Sequence, residues 1–271
     1  MLAALLAAAG PGHAQEPPLP DAQAFLADAL KLARSNDLVR SRYTFTDTET
    51  RYSYGTTGNV VKKQVRVYEV HPFPDPDLTY RRLVSVNGVQ PKDLAVRDAE
   101  HQRKVQEWMA RREQGGEDDR AARLRRQADE RERAVVGELT SIYDFQMTGR
   151  ETIDGRPAIV FTFDPRPEYP PRTPEGRIIH HFRGRVWIDE QDREVARVRA
   201  EALESVSVKF GFIFRLLKGS RGLMERRKIN GEDWLPTYSR FTGSGRVLFV
   251  ARIDLDQENH YSSYRKKEPG D

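Results

Sequence analysis

The sequence predicts a mainly β protein with helices: a strongly curved antiparallel sheet of about eleven strands, with an N-terminal helix and a helical insertion. Three observations predict it. Apolar residues alternate with polar ones over most of the chain, short turns join the alternating segments, and this pattern breaks once, in a highly charged helical stretch. Because parallel strands need a crossover of a dozen or more residues, strands joined by short turns pair antiparallel.

The composition excludes several classes of protein. The 271 residues are 32% charged and 38% hydrophobic, which is too apolar for a disordered chain and too polar for a multi-span membrane protein. With no cysteine, the chain has no thiolate nucleophile, disulfide, iron–sulfur cluster, cysteine zinc site or lipidated cysteine anchor. The 45 basic and 41 acidic residues nearly balance, so no nucleic-acid partner is expected.

The first residues are typical of an exported protein. Residues 1–9 are almost wholly Leu and Ala, and Gly12 and Ala14 are small residues placed for cleavage before Gln15. The apolar run is far shorter than the roughly 20 residues of a membrane span. We therefore expect a signal peptide at residues 1–14 and one periplasmic domain at 15–271. A short buried helix at the N-terminus is the alternative.

The first half of the sheet follows one helix. Asp21 is placed to cap a helix over residues 22–33, whose apolar residues recur at helical spacing. From Tyr43 the period changes to two. Strands are expected up to Tyr54, over 60–70 and over 78–86, where Asn87-Gly88 is a strong signal for a tight turn.

Residues 91–134 form the charged insertion. Between Arg97 and Arg133 there are 11 basic and 10 acidic residues in 37, and Gly115-Gly116 divides two helical segments. The first segment has a narrow apolar stripe that includes Leu94, Val105, Trp108 and Met109. So narrow a stripe cannot hold its own core. The insertion is either a solvated helical hairpin with intrahelical ion pairs or a cover for the sheet.

The rest of the chain returns to strands. The period of two covers 142–153 and 158–163, and a proline-rich loop then leads to residues 177–189. Apolar residues occupy nearly every even position from 196 to 216, which predicts one long bent strand, or two in register, with a broad apolar face. The strands 222–229, 234–242 and 247–264 complete the sheet, with Asn230-Gly231 as a turn.

The sequence lacks a recognisable catalytic pattern. It contains no zinc-protease, phosphate-loop or dinucleotide motif. His180 and His181 are neighbours in a predicted strand, where they would point to opposite faces and could not share a metal ion. We therefore expect a protein that is not an enzyme and uses no metal or other cofactor. A hydrolase that uses scattered carboxylates or His180, His181 and His260 is the least favoured alternative.

Two segments resemble a known superfamily. The run Gly184-Arg185-Val186-Trp187-Ile188-Asp189 with its following strand, and Asn230-Gly231 with Trp234-Leu235-Pro236, are similar to hairpins of the outer-membrane lipoprotein-sorting superfamily, which includes LolA-, LolB- and RseB-like proteins. The resemblance covers residues 180–264. It implies an incomplete β-barrel, lidded by helices, whose apolar concavity accepts acyl chains in the periplasm. The insertion is longer and more charged than a typical lid, and no residue matches a lid-locking arginine.

These observations lead to two main hypotheses. The first is a non-enzymatic periplasmic carrier or binder of a lipid or of an acylated protein, and ordinary core packing is the alternative role for the residues of its site. The second is an envelope-stress sensor or interaction protein of the same fold, which would bind an envelope protein through residues 97–133. The expected acyl-contacting residues are Val206, Val208, Phe210, Phe212, Phe214, Leu216, Trp187, Trp108 and Met109.

Overall fold

The computed structural model describes residues 17–32, 39–55, 57–113, 117–209, 213–247 and 251–267. The predicted signal peptide, Phe210 and Phe212 lie outside these ranges. In chain order the elements are α1 (Ala22–Leu32), β1 (Tyr43–Tyr54), β2 (Val60–His71), a short 3-10 helix (Pro76–Leu78), β3 (Tyr80–Val86), α2 (Leu94–Glu113), α3 (Glu117–Ile142), β4 (Tyr143–Ile153), β5 (Arg156–Pro165), α4 (Pro174–Ile179), β6 (Phe182–Asp189), β7 (Val195–Ala202), β8 (Val206–Lys209), β9 (Ile213–Leu216), β10 (Arg221–Ile229), β11 (Asp233–Val247) and β12 (Ala251–Lys266).

The predicted fold class is confirmed. The strands form one antiparallel sheet in the order β3-β2-β1-β12-β11-β10-β7-β6-β5-β4, and the β8–β9 hairpin joins it through β11. The sheet is open, since this order ends at β3 and at β4. The strand count among the described residues is twelve, against the expected eleven.

Tight turns explain why consecutive strands pair. At Asn230-Gly231, which joins β10 to β11, and at Asn87-Gly88, which joins the end of β3 to the bridging residue Val89, both residues of each pair have positive φ angles, between 50° and 81°. Asn and Gly tolerate this left-handed backbone at small cost, and such turns suit the right-handed twist of a hairpin. These predicted turns are therefore confirmed.

One face of the sheet, called the inner face here, changes character from one end to the other. Register partners follow one another across the strands in two rows. The first row is Met147, Phe161, Val186, Val198, Met224, Ser239, Asn259, Glu49 and Arg66. The second is Phe145, Phe163, Gly184, Ala200, Gly222, Phe241, Gln257 and Arg51. Both rows are mostly apolar from β4 to β10 and polar over β12 and β1.

The main core lies on the apolar part of the inner face. Phe25 and Ala29 of α1 pack there against Phe161 and Ile159, with the Phe25 and Phe161 rings stacked at 6.2 Å. The Asp21 carboxylate accepts a hydrogen bond from the Ala24 amide at 2.8 Å, which caps α1 as predicted. The apolar side of α1 therefore covers one part of the inner face.

The insertion is both solvated and attached to the sheet. Exposed ion pairs one turn apart, such as Lys104 with Glu100 at 3.0 Å, follow α2. The other side of α2 is fixed to β3, where the Tyr80 and His101 rings stack at 4.2 Å and Asp98 accepts hydrogen bonds from Tyr80 and Arg82. The second helix is longer than expected, since α3 continues to Ile142.

The alternating segment 196–216 differs from its prediction. It forms β7 and then the hairpin β8–β9, in which Val206 pairs with Leu216, and not one long strand or two in register. A shift of register opposite Ile188 also moves Ala196 to the face of Trp187. Such a bulge adds one residue to one strand and so reverses the faces. The short helix α4, in the proline-rich region, was not predicted.

We expect Gly184→Ala to lower the free energy of unfolding by about 2 kcal/mol, because a Cβ at Gly184 would lie 1.9 Å from the Arg199 carbonyl oxygen. Gly222→Ala is the matched control in the same row, where a Cβ meets no atom within 4 Å. This control should be neutral or slightly stabilising. Urea unfolding of the two variants measures both effects, and equal changes would contradict the steric explanation.

Candidate functional site

Apolar side chains on part of the inner face are incompletely covered by the protein. Phe145, Met147, Val198, Met224 and Phe241 are half-buried, whereas the neighbouring Phe161 and Ile159 are almost fully buried. Half-buried apolar side chains on a curved sheet still expose surface to water. Covering that surface with an apolar ligand would be favourable.

Small residues leave space beside these side chains. Gly184, Ala200 and Gly222 are register partners on three adjacent strands. The Phe163 ring fills the space above Gly184, since a Cβ built there would lie 2.8 Å from Phe163 Cζ. No atom lies within 4 Å of a Cβ built at Gly222, so the inner face is open at this position.

The β8–β9 hairpin borders this open position. Val206 and Leu216 are buried against Ala202, and Phe241 packs on the same cluster. Two of the predicted acyl-contacting residues, Val206 and Leu216, thus lie next to the half-buried surface. Val208 and Phe214 are register partners in the hairpin.

The structure places the other predicted residues elsewhere. Trp187 lies on the opposite face of the sheet, called the outer face here, where it packs against Trp234 and donates a hydrogen bond to Glu151 at 2.7 Å. Trp108 is buried against Phe73, with ring centroids 5.0 Å apart, beside the edge of the sheet at β3. Met109 is 51% exposed. These three residues do not join Val206 and Leu216 at the inner face.

The polar end of the inner face contains buried charges that the sequence analysis missed. Asp47 accepts hydrogen bonds from Arg81 at 2.7 Å and from Asn259 at 2.7 Å. Glu49 pairs with Arg51 at 2.9 Å and with Arg81 at 3.2 Å. Their side chains are only 7% and 2% exposed. Parity was the available signal, because Asp47 and Glu49 continue the odd positions of Tyr43 and Phe45.

A buried carboxylate attaches α3 to the segment that precedes α4. Glu138 of α3 accepts hydrogen bonds from the Thr173 hydroxyl at 2.6 Å and from the backbone amides of Arg172 and Thr173. Thr173 in turn caps α4, whose Ile179 packs on the core. Burial raises the pKa of Glu138, but these hydrogen bonds outweigh burial and hold the pKa below its usual value.

His180 and His181 lie in the turn after α4 and not in a strand as predicted, with ring centroids 6.5 Å apart, whereas His260 lies elsewhere. His180 Nε2 lies 2.7 Å from the Arg166 carbonyl oxygen, and His181 faces Glu204 at 3.6 Å. His260 is exposed on the outer face beside Tyr238. Within the described ranges, no three His, Asp or Glu side chains are grouped as ligands for a metal ion.

Comparison with known proteins returns structures alone. No protein-family model and no curated protein matches the chain. A LolA superfamily protein from Nitrosomonas europaea matches with 10% identity and a TM-score of 0.30, over 93% of this chain and 96% of that one. An outer membrane lipoprotein-sorting protein domain from Vibrio parahaemolyticus matches with 9% identity and a TM-score of 0.30, over 89% and 93%. The Pseudomonas aeruginosa MucA/MucB complex matches with 9% identity and a TM-score of 0.24, over 90% and 99%.

Among the described helices, none has both the length and the apolarity to cross a membrane.

The hydrogen bonds that Glu138 accepts from Arg172 and Thr173 predict a pH dependence of stability. Because its pKa is lower in the folded than in the unfolded chain, its contribution is complete above about pH 4.5 and is lost as the pH falls through the folded pKa. Glu138→Gln should lower the free energy of unfolding by about 2 kcal/mol at pH 7 and by less in acid. Glu130→Gln, an exposed position on the same helix, is the control. Denaturant unfolding from pH 3 to 7 tests this, and a pH-independent difference would contradict it.

Proposed function

We propose that the chain is a non-enzymatic periplasmic binder or carrier of a lipid or of an acylated protein. The acyl chain would lie on the apolar part of the inner face, beside Gly222 and the β8–β9 hairpin. The observation that carries this proposal is the open space at Gly222 within a row of half-buried apolar side chains.

The energetics of such a surface suit hydrocarbon. Each methylene removed from water contributes about 0.8 kcal/mol, so an acyl chain needs no polar code to bind. Half-buried Val198, Met224 and Phe241 would gain from the same contact, because their exposed area would also leave water. Two of the half-buried residues of the inner face, Met147 and Met224, adapt to ligands of varied shape since their side chains are unbranched.

The buried charges limit where the hydrocarbon can lie. Asp47 and Glu49 form ion pairs with arginines that are themselves partly exposed, and Arg81 is 42% exposed. Covering Arg81 with hydrocarbon would remove a charge from water at a high cost. The acyl chain is therefore confined to the part of the inner face between β4 and β11, and a polar group of the ligand would face Ser239 and Asn259.

One feature of the sequence supports the location. The apolar start of the chain has the pattern of a signal peptide. Residues 97–133 of the charged insertion are the proposed surface for an envelope protein partner. Its exposed face carries charges of both signs, as in Arg103 and Glu107.

The acyl-binding proposal predicts that Gly222→Leu weakens binding of a fluorescent fatty acid by about tenfold or more. The new side chain would occupy the space that the acyl chain needs, and losing contact with two methylenes alone accounts for about that factor. Fluorescence titration of protein purified without detergent measures it.

Gly137→Leu is the matched control, because Gly137 is exposed on α3 and a Cβ there also meets no atom within 4 Å. It should bind like the parent chain. Native mass spectrometry of protein purified from the periplasm should also show bound lipid in the parent and less in Gly222→Leu. The proposal fails if the parent binds no fatty acid, or if both variants bind as the parent does.

A further inference from the structure

The outer face has an open depression of about 590 Å³ over β5, β6, β7 and β10. Its lining includes four arginines, which are Arg183, Arg185, Arg199 and Arg221. The arginine side chains alternate along the strands with Gly184, Ala200 and Gly222, so the arginines and the proposed acyl surface lie on opposite faces of the same strands, and Gly184 and Ala200 border both. The depression is therefore a separate site.

The arginines are close together across the strands. Arg185 and Arg199 are register partners on β6 and β7, and so stand directly opposite each other. Like charges in that position destabilise a sheet by electrostatic repulsion. A negative charge between or above the two guanidinium groups would relieve this repulsion.

The protein supplies only part of that negative charge. Arg185 pairs with Glu151 at 2.8 Å, and Arg221 lies 3.6 Å from Glu201. Arg183 and Arg199 are exposed and make no ion pair with a described residue. Asp164 also lines the depression, but the four arginines still outnumber the three carboxylates.

We propose that this depression binds a phosphate-bearing anion. Guanidinium groups present paired N–H donors that match two oxygens of a phosphate, and several arginines can share one phosphate group. The Thr162 hydroxyl at the same site donates a long hydrogen bond of 3.5 Å to the Gln146 carbonyl oxygen, and it can donate to a phosphate oxygen instead. A volume of about 590 Å³ is within the usual range of small-ligand sites.

The phosphate has two possible sources, a soluble phosphorylated molecule or a phospholipid headgroup at a membrane surface. Either would use the same arginines. Inorganic phosphate and pyrophosphate serve as probes of the first source, measured by calorimetry at low salt. Vesicles of phosphatidylcholine with phosphatidylglycerol serve as the probe of the second, measured by co-sedimentation, with pure phosphatidylcholine vesicles for comparison.

The test variant is the double substitution Arg183→Gln with Arg199→Gln. We expect the double variant to bind the probe with an affinity about tenfold or more below that of the parent, since two charge-assisted contacts are lost. Arg199→Gln alone should cause a smaller loss in the same direction, and it serves if the double variant does not fold. Arg177→Gln removes one exposed positive charge on α4, at the inner face, and should bind like the parent.

The outcomes separate this site from the acyl surface. Binding of phosphate or pyrophosphate that the double variant loses assigns a soluble ligand, and vesicle binding with the same loss assigns a membrane headgroup. Gly222→Leu should keep this binding in full, whether or not it binds fatty acid. The proposal is overturned if the parent binds neither probe. It is also overturned if the double variant and Arg177→Gln change binding equally.

Discussion

A strand that slips by one residue in an antiparallel sheet moves all its side chains to the other face. In this molecule the two faces have different chemistry over the same strands, because Gly184 and Gly222 face an apolar surface while Arg185 and Arg221 face a cationic depression. The register between β6, β7 and β10 therefore determines both surfaces at once. Close packing at Gly184 helps to hold this register, since a slipped strand would place a larger side chain against the Arg199 carbonyl oxygen.

Most of the fold could be predicted from the sequence. A period of two and pairs such as Asn230-Gly231 are local signals, and local signals are enough to place antiparallel neighbours. The bulge opposite Ile188 is not a local signal, because it depends on how two strands meet. Even positions from 198 to 202 share a face with Val186 as predicted, whereas Ala196 does not.

The candidate site was predictable only in part. Val206 and Leu216 were predicted from the alternation of apolar and polar residues. They still pack in one cluster after the segment divides into a hairpin. Trp187 was predicted to contact the acyl chain but lies on the outer face, because one sequence does not show whether the odd or the even positions of β6 face the helices. The arginines of the depression belong to strands far apart in the chain, Arg183 on β6 and Arg221 on β10, so no stretch of sequence shows them as a cluster.

The pairing of β1 with β12 has a consequence for the order in which the molecule assembles. Tyr43 pairs with Lys266, so the ladder that connects β1 to β3 with the rest of the sheet joins parts of the chain that are more than two hundred residues apart. Closing so long a loop is slow, and chains are made from the N-terminus. Strands β1 to β3 must therefore wait for the last strand before they can join the rest, and until then their edge is unprotected.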